Sequence, residues 1–190
     1  AFSRLQLERF LEATAEHAHL VRHAANSAAA IGLPEARLDA ARCGIALYGI
    51  DPFGEDAAHH GLRPALRWES EVARVVALRA RESTGYGRRF VATAPTTIGL
   101  VPVGYADGFT RDLTGTRVLV EGLPCEVVGT ISMDAFAVRL ACPVEPGTPV
   151  TLVGDGATLE RHARIAGTIA YELACGIRTD PVRSVRMVVG

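Results

Sequence analysis

The 190 residues, 48% apolar and 22% charged with a mean hydropathy of +0.18, can build a packed domain with part of another, which excludes a disordered or fibrous chain. No apolar run reaches the length of a membrane span, and a net charge of −1 gives no grip on nucleic acid or an anionic membrane. A small molecule is the expected partner.

Residues 3 to 17 have helical spacing, with Leu7, Phe10 and Leu11 on one face and Ser3 with Gln6 as a capping box. A strand is expected over Leu20 to Ala25. Asn26 and Ser27 then open an alanine-rich helix that stops at Gly32-Leu33-Pro34. The apolar run Cys43 to Leu47 is expected to be a second strand, so this region suits the closing units of a parallel α/β structure. Residues 51 to 64, rich in Gly, Pro, His and acids, mark a domain boundary, placed after Leu62.

Beyond it the pattern becomes β. One long strand is predicted over Leu66 to Leu78, with Leu66, Trp68, Ser70, Val72, Arg74, Val76 and Leu78 on one side. Shorter strands are predicted at Ile98 to Val103, Arg117 to Val120, Glu126 to Ile131 and Phe136 to Leu140. A helix over about Leu159 to Leu173 and a last strand over Val182 to Val189 complete an antiparallel sheet or barrel with one packed helix. The fold class is thus α/β followed by mainly β.

Cys43, Cys125, Cys142 and Cys175 are widely spaced and form no zinc pattern, so they read as reduced, mostly core thiols of a cytoplasmic protein, with no metal expected. All twenty basic Lys/Arg residues are arginine. A chain without lysine cannot hold a cofactor through a lysine amine. Together with a start at Ala1 directly before a helical pattern, this reads as part of a longer protein.

Several short segments could carry chemistry. His23-Ala-Ala-Asn26-Ser27 leads into a helix, where free N–H groups favour an anion, although Asn26 and Ser27 would look the same as plain caps. Arg42, Gly44 and Ile45 place an arginine beside backbone that a ligand can approach, and a surface arginine entering a strand would read alike. Tyr86 stands between two glycines before Arg88 and Arg89, positive charge that favours proton release from a phenol; most loop tyrosines do nothing of the kind. Tyr105, within Gly104 to Gly108, and Ser132-Met133-Asp134 are turns with a polar payload or simple connections.

Order and spacing add what the single segments lack. H-x-A-N-S-A from His23, R-x-G-I-x-L-Y-G from Arg42, G-Y-G from Gly85, V-G-Y-A-D-G from Val103 and S-M-D from Ser132 together resemble the C-terminal half of alanine racemases, densely from about Leu5 to Leu140 and more loosely to Gly190. The resemblance implies an N-terminal (β/α)₈ barrel that carries pyridoxal phosphate (PLP) on a lysine. It also implies a C-terminal β domain that completes the partner subunit's site in a head-to-tail homodimer. Residues 1–62 would then be the last barrel units and 63–190 the β domain. The implied reaction interconverts L- and D-alanine by proton transfer between two bases, one of them Tyr86 and the other a lysine absent here.

By the same resemblance Ser27, Gly44 and Ile45 hold the PLP phosphate, and Arg42 faces the ring nitrogen. The Met133 amide binds the substrate carboxylate, and His23, Tyr105 and Asp134 line the access channel. Two departures stand out: Ser132 occupies a position that is often cysteine, and Thr179 to Arg183 has no counterpart of a C-terminal tyrosine that touches the phosphate. The isolated 190 residues are expected to be inactive and, with an incomplete barrel, to associate. Two alternatives remain open at this point: a lysine-free relative serving as a binding or dimerisation module, and a racemase of serine or broader specificity.

Overall fold

The computed structural model describes residues 1–189, which divide between two compact units, Ala1–Ala65 and Leu66–Gly190. In the first, helix α1 spans Phe2–Ala13 and buries Leu7. It starts on Ala1 without a side-chain cap, so the expected Ser3 box does not form. Thr14 donates its hydroxyl to the Phe10 carbonyl at 2.8 Å and ends the helix, and the rest of the expected stretch is a 3₁₀ turn, Ala15–His17. Helix α2 spans Ser27–Gly32, with the Asn26 side chain accepting from Ala29 N–H at 2.9 Å. Leu7, Ala25, Ala30, Leu33 and Ala36 form the core of this unit.

Neither strand expected here forms. Residues 20–25 form no strand; they are held by Asp39 N–H donating to Arg22 O at 3.1 Å, by Arg42 N–H donating to Ala25 O at 2.8 Å and, just beyond, by a parallel bridge between Asn26 and Arg42. A two-stranded parallel pair has too little ladder to persist as a regular sheet. The run Cys43 to Leu47, read as strand, instead enters a 3₁₀ turn, Ile45–Tyr48, closed by Gly49 in the left-handed region at φ +68°. Periodicity cannot separate strand from helix in so short an apolar run. A Cβ on Gly49 would stand 1.7 Å from the Arg63 carbonyl, so only glycine fits.

The second unit holds a seven-stranded antiparallel sheet: β1 Trp68–Glu71, β2 Arg74–Leu78, β5 Thr96–Val101, β6 Arg117–Val120, β7 Leu123–Val128, β8 Phe136–Arg139 and β9 Pro149–Val153, in the order β1-β9-β6-β7-β8-β5-β2. A two-stranded ribbon pairs β3 Ser83–Thr84 with β4 Phe90–Val91. The single long strand expected over 66–78 is bent between β1 and β2, and these lie at opposite edges of the sheet. At the bend, fully buried Val72 donates to Thr148 O at 2.9 Å, while Ala73 donates to Leu100 O at 2.8 Å. One continuous segment thereby supplies both edge strands, and the sheet curls between them.

Phe109 and Phe136 stack in the core with ring centroids 4.5 Å apart, and Trp68 meets Phe109 edge-on at 6.1 Å. The expected single helix is two, α3 Leu159–Ala166 and α4 Ala170–Gly176, because Gly167 at φ +70° ends the first. The expected strand over 182–189 is absent; Val182, Val185 and Val188 are exposed, since β-prone residues form no strand without a partner ladder. Of the four free cysteines Cys125 is buried and Cys43 packs half-buried against the core of the first unit, whereas Cys142 is half-buried and Cys175 exposed, which corrects the core reading of these two.

Candidate functional site

In the first unit a cradle forms where the start of α2 meets the turn after Arg42. The Ser27 hydroxyl, on a residue only 4% exposed, accepts from Gly44 N–H at 3.0 Å and from Ala46 N–H at 3.4 Å. With both lone pairs engaged, its O–H proton remains to be given. Nothing lies within 4 Å of where a Cβ on Gly44 would stand. A buried hydroxyl with a proton to donate, beside open space and the turn that contains Ile45, fits a phosphate oxygen.

Arg42 is fixed beside this cradle. Its Nη1 lies 2.9 Å from His23 Nδ1 and donates to the His23 carbonyl at 3.1 Å, and its Nη2 donates to the Ala24 carbonyl at 3.5 Å. His23, placed in an access channel by the resemblance, is here the hydrogen-bond partner of Arg42. Further along, Asp51 is 1% exposed. Burial alone would raise its pKa, but N–H donation from Glu55 and Phe53 and the His60 ring 2.6 Å away hold it below the usual carboxylate range. This knot ties the chain after Gly49 back onto itself.

In the second unit the site residues share one anchor, the connection 129–135 between β7 and β8. Tyr86 is 75% exposed on a 3₁₀ turn, Tyr86–Arg88, between Gly85 and Gly87, both at positive φ. Thr130 Oγ1 donates to the Tyr86 carbonyl at 2.8 Å. Two residues on, Tyr105 N–H donates to Ser132 O at 3.1 Å and Ala106 N–H to Met133 O at 2.9 Å. Any Cβ on Gly104 would come within 2.4 Å of the Ser132 and Met133 backbone, so the V-G-Y-A-D-G and S-M-D segments touch because a glycine is there. The Met133 N–H has no protein acceptor among the described residues. Ser132 Oγ lies 3.4 Å from Asp134 Oδ1 and donates to Ala135 O at 2.8 Å, which shapes the turn.

Asp107 closes this cluster from below. Partial burial would raise its pKa, yet the Arg183 guanidinium at 2.6 and 3.0 Å and Gly104 N–H at 2.9 Å lower it overall. Sequence reasoning missed Thr130, Asp107 and Arg183 as supports. Thr130 carries no signal of its own, and the Asp107–Arg183 pair spans 76 residues. Each unit gathers its own candidates: His23, Ser27, Arg42, Gly44 and Ile45 in the first, Tyr86, Tyr105, Met133 and Asp134 in the second.

Comparison with known proteins gives the family. The family model described as "Alanine racemase, C-terminal domain" matches residues 65–185, and the one described as "Alanine racemase, N-terminal domain" matches residues 1–52. An alanine racemase of Janthinobacterium sp. (strain Marseille) is 43% identical over 175 residues, covering 90% of this chain and 48% of that protein. Alanine racemase 1 of Bacillus subtilis (strain 168) is 42% identical over 181 residues, 91% of this chain and 46% of its own length. The solved alanine racemase of Acinetobacter baumannii superposes with a TM-score of 0.88 at 32% identity, covering 94% of this chain and 51% of that one. For the biosynthetic alanine racemase of Pseudomonas aeruginosa the values are 0.85, 39%, 91% and 49%. The chain spans about half the length of the relatives it matches, and its two family-model matches and shared fold establish that it belongs to the alanine racemase family, of which it represents the C-terminal part.

Proposed function

We propose that these residues are the C-terminal part of a PLP-dependent racemase that interconverts L- and D-alanine, supplying the phosphate cradle and one of two bases. The observation that carries the reading is the buried Ser27 hydroxyl, which gathers the Gly44 and Ala46 N–H groups beside open space. When bound, PLP supplies the electron sink that makes the substrate's α-proton labile. Ser27, Gly44 and Ile45 would hold its phosphate. Arg42, held by His23 and the Ala24 carbonyl, keeps a fixed positive charge that disfavours protonation of a facing ring nitrogen.

Tyr86 Oη removes or returns the α-proton on one face. The base for the other face, and the cofactor anchor, is a lysine from outside these 190 residues, which contain none. The Met133 N–H, its carbonyl already taken by Ala106, receives the substrate carboxylate. Tyr105 and Asp134, on turns docked to each other, would line the access channel, and His23 would do so from its own unit. The parent enzyme is read as a cytoplasmic homodimer, with Tyr86 serving the partner's site. Among the described residues no helix is long and apolar enough to cross a membrane. Alone, the chain is expected to be inactive.

The test is Tyr86→Phe in the full-length parent. Racemase kcat should fall about 10²–10⁴-fold in both directions while the visible absorption of bound cofactor persists. Retained activity would remove Tyr86 from the reaction. The absence of lysine favours one second reading, a non-catalytic binding or dimerisation module. An intact mass of only these 190 residues, with no cofactor absorption, would select it. Relative kcat/KM for alanine and serine in the parent decides the substrate.

A further inference from the structure

We infer that Arg183 is a positioning residue for the substrate carboxylate, acting from the C-terminal segment through Asp107 to fix the turn that aims the Met133 N–H. The inference rests on the racemase reading above, in which that N–H receives the carboxylate, and it gives the chain after α4 a part in substrate binding.

The Met133 N–H belongs to the same peptide group as the Ser132 carbonyl, which accepts from Tyr105 N–H at 3.1 Å. The next peptide is clamped as well, with Met133 O accepting from Ala106 N–H at 2.9 Å. A hydrogen bond accepted at a carbonyl strengthens the donor at the other end of that amide, and clamps on both neighbouring peptides fix where it points. The Met133 N–H is therefore aimed by the turn Gly104–Gly108, from which both clamps come.

Asp107 organises that turn. Its Oδ2 accepts from Gly104 N–H at 2.9 Å, and its side chain is only 14% exposed. A mostly buried carboxylate without a counter-charge would turn toward water and release Gly104. The counter-charge comes from Arg183: Nε donates to Oδ1 at 2.6 Å and Nη2 to Oδ2 at 3.0 Å, a fork that fixes the carboxylate plane as well as its charge. Asp134 and Asp180 add to the negative field around the same guanidinium, so both docked turns attract it.

The segment carrying Arg183 is built to deliver it. A Cβ on Gly108, at φ +104°, would stand 2.3 Å from Gly176 O and 2.7 Å from Ile177 Cα, so the chain leaving α4 packs backbone against backbone on the turn. Arg178 N–H then donates to Asp107 O at 2.9 Å. Asp180 bends the chain back: its Oδ1 accepts from Val182 N–H at 2.9 Å, and its carbonyl from Arg183 and Ser184 N–H at 2.9 and 2.8 Å. An ordinary surface ion pair contributes little, but this one holds a mostly buried carboxylate within the same turn as both clamps on Met133.

Arg183→Gln in the full-length parent tests this, with Arg183→Lys and Asp107→Asn beside it. Loss of the fork should raise KM for L- and D-alanine about 5–20-fold and leave kcat within about threefold, the pattern of lost uniform binding. Ethylamine, which is alanine without its carboxylate, is the control: its inhibition constant should stay within about twofold, because it has no group for Met133 to bind. Arg183→Lys should recover part of the KM, since it returns the charge without the fork. Arg183→Gln combined with Asp107→Asn should cost no more than the worse single variant. Amide hydrogen exchange over residues 104–108 should quicken in the Gln variant without substrate. Unchanged KM, a fall confined to kcat, or an ethylamine constant that rises in parallel with KM would overturn the inference, the last by showing general loosening. Additive losses in the double variant, or unaltered exchange over 104–108, would do the same. Should Arg183→Gln not fold, Arg183→Lys reads the same ratio of alanine KM to ethylamine constant. A parent that racemises neither enantiomer would refute the proposed function itself, whereas an active parent in which that ratio stays fixed sinks the role of Arg183 alone.

Discussion

Asn26 and Ser27 divide two tasks that look identical in sequence. Asn26 caps α2 through Ala29 N–H, while the Ser27 hydroxyl turns to Gly44 and Ala46. Plain caps and an anion site were rival readings of the same pair; the structure uses one residue for the cap and leaves the other with a proton to give. Ser27→Ala should leave α2 capped but strand two N–H groups, and the parent should lose PLP about tenfold more readily in equilibrium dialysis, the equivalent of about one to two hydrogen bonds. Gly49 is a harsher position. Its left-handed φ and the 1.7 Å approach of Arg63 O predict that Gly49→Ala costs roughly 3 kcal/mol, measured as a shift in the urea midpoint of the first unit. The glycine was legible as part of a motif, but the reason for it was not, because Arg63 lies fourteen residues away along the chain.

At the level of elements, the connection 129–135 organises the second half of the candidate site. Thr130→Val removes the bond to the Tyr86 carbonyl and leaves the strands intact; kcat in the parent should fall about 3–10-fold with little change in Tm, as expected for one hydrogen bond that positions a turn. Helix α3 is fastened to the sheet through His162, which is 2% exposed. Its Nε2 donates to Leu152 O at 2.7 Å, so Nδ1 must accept from the Thr116 hydroxyl, also at 2.7 Å. Only the neutral ring satisfies both. Burial lowers the His162 pKa below the ordinary 6.5, opposed in part by the Leu152 carbonyl.

The unfolded chain therefore binds a proton that the folded one refuses. Stability is full above about pH 6.5 and falls as the pH drops from there toward the lowered folded pKa. Urea midpoints followed by the single tryptophan, Trp68, at pH 7.5, 6.5 and 5.5 should decline in that order, and His162→Gln should flatten the decline. This element was only half legible. The helical pattern from Leu159 was visible, but Gly167 divides it, and nothing local reveals that His162 reaches Thr116, forty-six residues away. The bounds of β6 were read directly, β8 ends one residue before the expected Leu140, and β5 and β7 were displaced by two and three residues because the flanking turns do not fix where pairing begins. β9 was missed because the turn at Pro146-Gly147 and the proline that opens the strand masked a short run buried on both faces.

For the whole molecule, the class of fold was the most legible feature and the pairing the least. Composition separates the α/β segment from the β segment, and the strand order, with β1 and β2 at opposite edges, needs contacts between distant residues that no window of sequence contains. The same scale carries a prediction about behaviour in solution. Leu20, Val21, Leu47 and Tyr48 are each more than half exposed in the first unit, a larger apolar display than scattered surface residues provide. The isolated 190 residues should self-associate in sedimentation at micromolar concentration, and a clean monomer there would mean that these side chains find cover within the chain.

The bent segment through Val72 also sets the order in which the second unit can assemble. Local hairpins such as β6–β7 and the β7–β8 pair close short loops, but β1 must find β9 across a span from Trp68–Glu71 to Pro149–Val153. Loop-closure entropy defers that contact until the intervening strands are formed. The last seam to zip holds the first strand of the unit, so synthesis from the ribosome must deliver Val153 before Trp68 has a strand partner, and until then the molecule carries an unpaired strand that a holdase would recognise.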